Sequence, residues 1–267
     1  MADVPYDAAY IAGFFDVYGE REWERFDARP MDRVGLEVHR RFVREFVRSG
    51  DRVLEAGAGP GRFTLELADI GARVLVGDIS PRQLELHREK TGSVEASIED
   101  RVLLDIVDLS RFDDGEFDVV VCIGGPLSYV LGEADGALAE LLRVTRPGGR
   151  VLLSVMSLLG AADAFFDWFP GVIEEFGWKR AVADVIETGL LPADVNEGHV
   201  CRLYRWRELE AVLERHPCRL LAASASNFLS VGREEFDERF LEIEIAACRE
   251  PGVLDAGTHI LAAVERI

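Results

Sequence analysis

Residues 52 to 61 read Arg-Val-Leu-Glu-Ala-Gly-Ala-Gly-Pro-Gly, and a second apolar run, Ala72 to Val76, ends in Gly77-Asp78. This pairing restricts what the chain can fold into. Val53 and Leu54 belong to a short apolar run of the kind buried on both faces in a parallel sheet. Gly57, Gly59 and Gly61 then permit a turn in which backbone approaches a ligand where a Cβ would collide. Helical spacing resumes from Phe63 to Leu67. The predicted ligand therefore sits at a helix N-terminus, at the carboxyl end of the sheet. Asp78, at the end of the next strand, is placed to grip a ribose diol.

The same outline suits a dinucleotide, so the glycine spacing has to decide. The dinucleotide fingerprint wants a third glycine three residues after its second, where helix packs closely on strand. That position here is Arg62, and the turn reads G-x-G-x-G with Glu55 before it. A pyrophosphate is poorly served by a carboxylate so close, whereas a cationic amino-acid ligand is well served. At this point the chain resembles the class I S-adenosylmethionine-dependent methyltransferases, whose first motif is E/D-x-G-x-G-x-G.

Further segments follow in the order of that family. Val102 to Ile106 is predicted as a third strand, leading into Asp105-Ile106-Val107-Asp108-Leu109. It resembles the family segment whose acidic side chain and neighbouring amide read the adenine edge. Asp105 and Ile106 fit by register, with Asp108 as the alternative acid. Phe117 to Ile123 followed by Gly124-Gly125-Pro126 looks like the fourth strand, which ends beside the transferred methyl. Arg146-Pro147-Gly148-Gly149-Arg150 turning into Val151 to Val155 is another recognisable element. The resemblance covers about residues 35 to 157 well and the last two strands loosely. It implies a doubly wound, seven-stranded Rossmann-like α/β sheet with its last strand antiparallel. The implied cofactor is S-adenosyl-L-methionine, leaving as S-adenosyl-L-homocysteine. Glu55, Gly57, Ala58, Gly59 and Gly61 would form the first loop and Asp78 would hold the ribose. Ile79 would flank the adenine, Asp105 and Ile106 would read its edge, and Ile123 would lie near the methyl.

Outside residues 49–157 the chain carries three additions to what reads as a single domain. Residues 1–48 form an N-terminal helical segment rich in aromatics, with a helix predicted from Val34 to Val47. In relatives such a segment folds over the cofactor, which would bring Tyr18 and Trp23 to the ligand. The competing reading is that these rings glue the segment to the core. Residues 158–200 are an insertion holding Phe165, Phe166, Trp168, Phe169, Phe176 and Trp178. Three readings fit it: an apolar cap over a hydrophobic substrate, a helical pair hiding its own core, or a homodimer interface. Residues 201–267 complete the sheet, with strands at 219–225 and 258–265. A helix is predicted between them over 233–249, with Phe236, Phe240, Ile243 and Ala247 on one face.

Net charge narrows the partners. At −19 over 267 residues, the chain lacks the basic surface that phosphate neutralisation requires, so nucleic acid is not expected as a substrate. No apolar stretch is long enough to span a bilayer and no secretory signal pattern opens the chain, which suits a cytoplasmic enzyme. Cys122, Cys201, Cys218 and Cys248 show no paired metal spacing and read as buried thiols.

Missing features remove several relatives. Enzymes acting on exocyclic base nitrogens carry an Asn/Asp-Pro-Pro-aromatic turn where this chain has Ile123-Gly124-Gly125-Pro126-Leu127. The Pro-Cys nucleophile of cytosine-C5 enzymes is absent too. Cys122 to Gly125 offers no aspartate for the divalent cation of catechol O-methyltransferases, and the scattered cysteines do not suit arsenic methylation. The expectation is metal-independent methyl transfer to a small molecule, with oxygen or nitrogen favoured over carbon as the acceptor atom. A catalytically silent cofactor-binding partner would keep every core motif and is the alternative. His199 is the candidate base and Tyr204 a candidate orienting residue. His259 reads as a packed residue opening the last strand, and His39, His87 and His216 read as solvent-facing on helices.

Overall fold

The structure is a computed structural model describing residues 5–267; residues 1–4 of the N-terminal segment lie outside the described residues. Three helices open it: α1 (Ala8–Tyr18), α2 (Arg21–Ala28) and α3 (Pro30–Phe46). Asp7 caps α1 by accepting from Tyr10 N, and Pro30 starts α3, where its missing N–H costs nothing. The nucleotide-binding half then alternates: β1 (Arg52–Ala56), α4 (Arg62–Ile70), β2 (Arg73–Asp78), α5 (Pro81–Lys90), β3 (Ile98–Leu103) and β4 (Phe117–Cys122). There follow α6 (Pro126–Tyr129), α7 (Ala134–Val144) and β5 (Thr145–Met156), and then the insertion, with α8 (Leu158–Ala164), α9 (Phe169–Trp178) and α10 (Asp184–Thr188). A two-residue ladder of β6 (Leu190–Leu191) and β7 (Cys201–Arg202) closes the insertion, and α11 (Trp206–Leu213), β8 (Cys218–Ala225), α12 (Leu241–Cys248) and β9 (His259–Arg266) complete the chain.

The sheet order is β3-β2-β1-β4-β5-β9-β8. Strands β1 to β5 pair in parallel, and β9 runs antiparallel to both β5 and β8. The seven-stranded, doubly wound sheet with an antiparallel last strand is thus as the sequence implies. Its strands alternate their side chains between two buried layers. Leu54, Val120 and Leu153 pack with Leu138 and Leu141 of α7 and Leu209 of α11. Val53, Val121 and Leu152 pack with Phe42 and Val43 of α3 and Phe63 and Leu67 of α4. The order reverses at β1 and β4, so their carboxyl ends open a crevice at the switch point, where such sheets bind ligands.

Three expectations are corrected here. The third strand runs over 98–103 rather than 102–106, because it is the sheet edge. Its polar Glu99, Asp100 and Arg101 hide it from a search for apolar runs. The last helix begins eight residues later than predicted and turns Leu241, Ile245 and Cys248 inward, leaving Phe240 and Ile243 about half exposed. Glu244 sets that rotation, since its buried carboxylate accepts from the N–H groups of Phe228, Leu229 and Ser230 and from Ser230 Oγ. His39 and His87 are buried rather than solvent-facing. His87 lies on the inner side of α5, beneath the glycine turn.

Candidate active site

The turn after β1 is built by hydrogen bonds to the neighbouring strand, the N–H groups of Gly57 and Ala58 both donating to Gly77 O, at 2.8 and 3.0 Å. Gly57 has φ +79°, and a Cβ there would lie 2.4 Å from Pro126. Gly61, at φ +95°, starts α4, and its Cβ would lie 2.4 Å from Thr91. Both positions therefore need glycine for conformation and for space.

Beneath the turn a buried polar chain holds Glu55. Thr64 Oγ1 donates to Glu55 Oε2 at 2.5 Å and lies 2.7 Å from His87 Nε2. Arg101 Nε donates to His87 Nδ1 at 2.9 Å, so Nε2 carries the ring proton and donates to Thr64. Burial, reinforced by the Arg101 charge, pushes the His87 pKa down to about 3, so the ring is neutral. Burial raises Glu55 to about 8 against the Thr64 hydrogen bond, and its Oε1 has no partner within the protein. Glu55 and Gly61 stand behind the turn and are not on the cavity wall; Gly57, Ala58, Gly59 and Pro60 are.

Asp78 ends β2 with both carboxylate oxygens engaged: Oδ2 accepts from Gly59 N at 2.7 Å and Oδ1 from Ser80 N at 2.8 Å. Burial still lifts it to about 6, the two N–H bonds opposing. Asp78 faces the cavity together with Ile79, Asp105, Ile106, Ile123 and Tyr18. The cavity holds about 180 Å³ and runs along the carboxyl ends of β1, β2 and β4.

Its outer wall comes from α1 and α2. Ser80 Oγ donates to Asp16 at 2.5 Å, and Gln83 Nε2 donates to the carbonyls of Phe15 and Gly19. Arg62 donates to Trp23 O and stacks 3.8 Å over the Trp23 ring, so Trp23 fastens the segment and does not line the cavity. Tyr18, stacked on Phe14, does line it. Past β4, at Gly124, the wall turns aromatic with Phe14, Phe15, Tyr129 and Phe26, and it contains one ion pair, Arg25 Nε to Glu22 at 2.6 Å.

His199 reaches this region from the insertion, with its ring between Phe14 (4.7 Å) and Tyr129 (4.9 Å). Burial and then the Arg25 charge lower it to about 4, and its Nε2 has no partner in the protein. Tyr204 is elsewhere. It is 1% exposed in the core under β5 and does not line the cavity. Its backbone is held on β5 by Tyr204 N to Met156 O, and Leu158 N donates to Tyr204 O, which turns the ring inward. Its expected role in orienting a ligand is therefore withdrawn. Phe166, Trp168 and Trp178 of the insertion are exposed and do not face the cavity. Glu22 and Arg25 also line the cavity and were not singled out from sequence. Only the Glu22–Arg25 spacing of three on a helix hinted at an ion pair.

The arrangement fits a cationic nucleoside ligand. Asp78 and Asp105 supply negative charge, Ile79 and Ile106 supply apolar faces, and the turn admits close backbone approach. A family model described as a methyltransferase domain matches residues 53–149. A demethylmenaquinone methyltransferase of Clavibacter sepedonicus is 38% identical over 112 residues, covering 41% of this chain and 42% of that protein. Another, from Beutenbergia cavernae, is 38% identical over 165 residues, 58% of this chain and 62% of that protein. The chain thus spans less than two thirds of these curated relatives. The crystal structure of Burkholderia thailandensis 1,6-didemethyltoxoflavin-N1-methyltransferase, with 1,6-didemethyltoxoflavin and S-adenosylhomocysteine bound, shares the fold. Its TM-score is 0.59 at 17% identity, covering 97% of this chain and 88% of that one. The matched residues, 53–149, include the strands and the glycine turn at one end of the cavity, and over them the chain is similar to a methyltransferase domain.

Proposed function

We propose that the protein transfers the methyl group of S-adenosylmethionine to an oxygen or nitrogen of a small, planar molecule without a metal ion. The observation that carries this reading is the continuity of the cavity. One end is the glycine turn with Asp78 and Asp105, and the other, past Gly124, is enclosed by aromatic rings. Gly57 to Pro60 and Asp78 would hold the cofactor, with Ile79, Asp105 and Ile106 around its base. Glu55 would act from behind the turn, and Tyr18 would cover the site. When bound, the cofactor supplies an already activated methyl group, so the chain's own task is alignment and exclusion of water. Phe14, Phe15 and Tyr129 would exclude water and present an acceptor ring to the gap beside Ile123. His199, neutral and open at Nε2, would accept a hydrogen bond or a proton there. The demethylmenaquinone relatives act on a small molecule by name, which supports that acceptor class. The net charge of −19 disfavours nucleic acid.

Calorimetric titration with S-adenosylmethionine, S-adenosylhomocysteine and NAD(H) in parallel tests the cofactor. A mass-spectrometric screen for a 14 Da gain on phenolic and N-heterocyclic acceptors tests the reaction. Micromolar binding of the adenosyl ligands alone, followed by methylation, is expected. Binding without turnover across the screen would favour a silent cofactor-binding partner, and dinucleotide binding would overturn the reading.

A further inference from the structure

The aromatic end of the cavity holds one ion pair, Glu22 with Arg25, one turn apart on α2. The guanidinium is fixed from two directions. Its Nε donates to Glu22 Oε1 at 2.6 Å, and its central carbon stands 4.0 Å over the Phe26 ring. Phe26 is braced in turn by Phe63, edge to face at 6.2 Å. That uses the Nε donor and leaves the Nη donors over. Neither Nη1 nor Nη2 has a hydrogen-bond partner among the described residues, and neither is sealed off from open space. Nη2 stands at the end of β4, where a Cβ on Gly124 would lie 3.7 Å from it.

The charges around the pair give it a direction. Asp78, on the side of the glycine turn, is raised by burial, and the Glu22 charge adds to that. His39, His199 and His259 are lowered by burial, and the Arg25 charge adds to that in all three. Glu22 therefore faces the glycine turn and Arg25 the aromatic end. Burial works against the Arg25 charge, but Glu22 outweighs it and the pKa is raised, so the guanidinium stays ionised. The histidines are neutral, and burial keeps Tyr18 and Tyr129 protonated. Arg62, the other arginine of the lining, is taken up by Trp23 O and Asp27. Among the described residues, Arg25 is thus the one cation at this end with donors to spare.

We propose that Arg25 selects an anionic acceptor, its Nη donors taking a carboxylate carried on the aromatic ring. This carboxylate is a second group on the molecule, apart from the hydroxyl or N–H that His199 would meet. A planar fork held flat on a ring matches a planar carboxylate better than a point charge would. Asp78 and Asp105 at the other end repel the same group, so the acid can enter in one orientation. The inference deepens the proposed function and rests on it, because it assumes that the acceptor lies past Gly124.

The test is calorimetric titration of the full-length protein, saturated with S-adenosylhomocysteine, with 3-hydroxybenzoate and 3-hydroxybenzamide. The two share a ring and a hydroxyl and differ in charge. The acid is expected to bind about tenfold more tightly, the worth of a charge-assisted hydrogen bond. In Arg25→Gln the preference should fall below about twofold. In Glu22→Gln, which removes the competing carboxylate, it should grow by about threefold or more. A purely structural ion pair would be damaged alike from either side and would leave the acid-to-amide ratio where it was. The wild-type ratio needs no variant, and Glu22→Gln serves where Arg25→Gln does not fold. Equal affinities in the wild type, failure of both probes to bind, or a ratio moving the same way in both variants would overturn the assignment. If S-adenosylhomocysteine did not bind but the acid preference and its dependence on Arg25 held, the proposed function would fail and the Arg25 site would stand.

Discussion

Glu55 and Asp78 are both buried carboxylates, yet they answer to different partners. Glu55 is raised from its ordinary 4.5 to about 8 by burial, with Asp78 adding to it. Its folded pKa thus exceeds its unfolded one, and the unfolded chain ionises first as pH rises. Wild-type stability should therefore fall between pH 4.5 and about 8 through this group and level off above. A glutamine cannot ionise and still offers an acceptor to Thr64. The melting temperature of Glu55→Gln relative to wild type should accordingly climb across that window and then flatten. A difference that does not vary with pH would show that Glu55 ionises freely in the fold. Asp78 faces the cavity, so its substitution is read through ligand affinity. Asp78→Ala should weaken S-adenosylhomocysteine binding by about 1–3 kcal/mol in a calorimetric titration, the loss of a charged hydrogen bond. Unchanged affinity would remove Asp78 from the cofactor site. Both acids were visible in the sequence because each lies at the end of an apolar strand within two residues of a glycine. His39 and His87 were not, since a helix of mixed polarity does not show which face is buried until its neighbours are placed.

Elements set the precision with which these groups meet. The parallel strands β1, β2 and β4 were legible because burial on both faces makes them continuous apolar runs, such as Val119 to Cys122. β3 escaped the same reading because an edge strand keeps charges on its solvent side. The late start of α12 escaped because its phase is set by Glu244 capping the 228–230 backbone, an interaction between segments 14 to 16 residues apart. Close approach of backbone is similarly invisible in sequence. A Cβ on Gly160, in the first turn of α8, would lie 1.8 Å from the carbonyl oxygen of Gly257, just before β9. Ser157 Oγ caps the same helix and donates to Asp255 O, so the two segments cannot part without losing that bond. Gly160→Ala is expected to cost about 1–3 kcal/mol in urea denaturation, as overpacking does. Gly171→Ala, with open space around its Cβ position, should stay within about 1 kcal/mol. Equal losses at the two positions would mean that α8 is free to shift.

At the scale of the whole molecule, the cavity is an agreement among segments far apart in the chain. Tyr18 and Arg25 come from α1 and α2, Gly124 from the end of β4, His199 from the insertion and His259 from the last strand. Sequence alone pointed to the end of the cavity formed by the glycine turn and Asp78, where motif and strand order coincide, and left the other end open, because no local pattern links residues 25, 199 and 259. The opening helices are also attached differently from the rest. In α1 only Ile11 is buried, and in α2 only Phe26. What holds them is polar: Gln83 to the carbonyls of Phe15 and Gly19, Ser80 to Asp16, and Arg62 to Trp23 and Asp27. A segment with few buried apolar contacts opens at lower free energy than the core it covers. Because Tyr18 and Arg25 line the cavity, any ligand there touches this segment and stabilises its closed position. S-adenosylhomocysteine should therefore slow amide exchange across residues 8–28 more than across β4 or β5, which are protected already. Gln83→Ala removes two of the anchoring bonds without touching the glycine turn. It should speed exchange over residues 8–28 in the free protein and raise the S-adenosylhomocysteine Kd, while leaving exchange in β4 and β5 unchanged. If exchange over residues 8–28 proved as slow as in β4, and insensitive to both ligand and Gln83→Ala, α1 and α2 would be a fixed wall, and access to the cavity would have to come from the insertion.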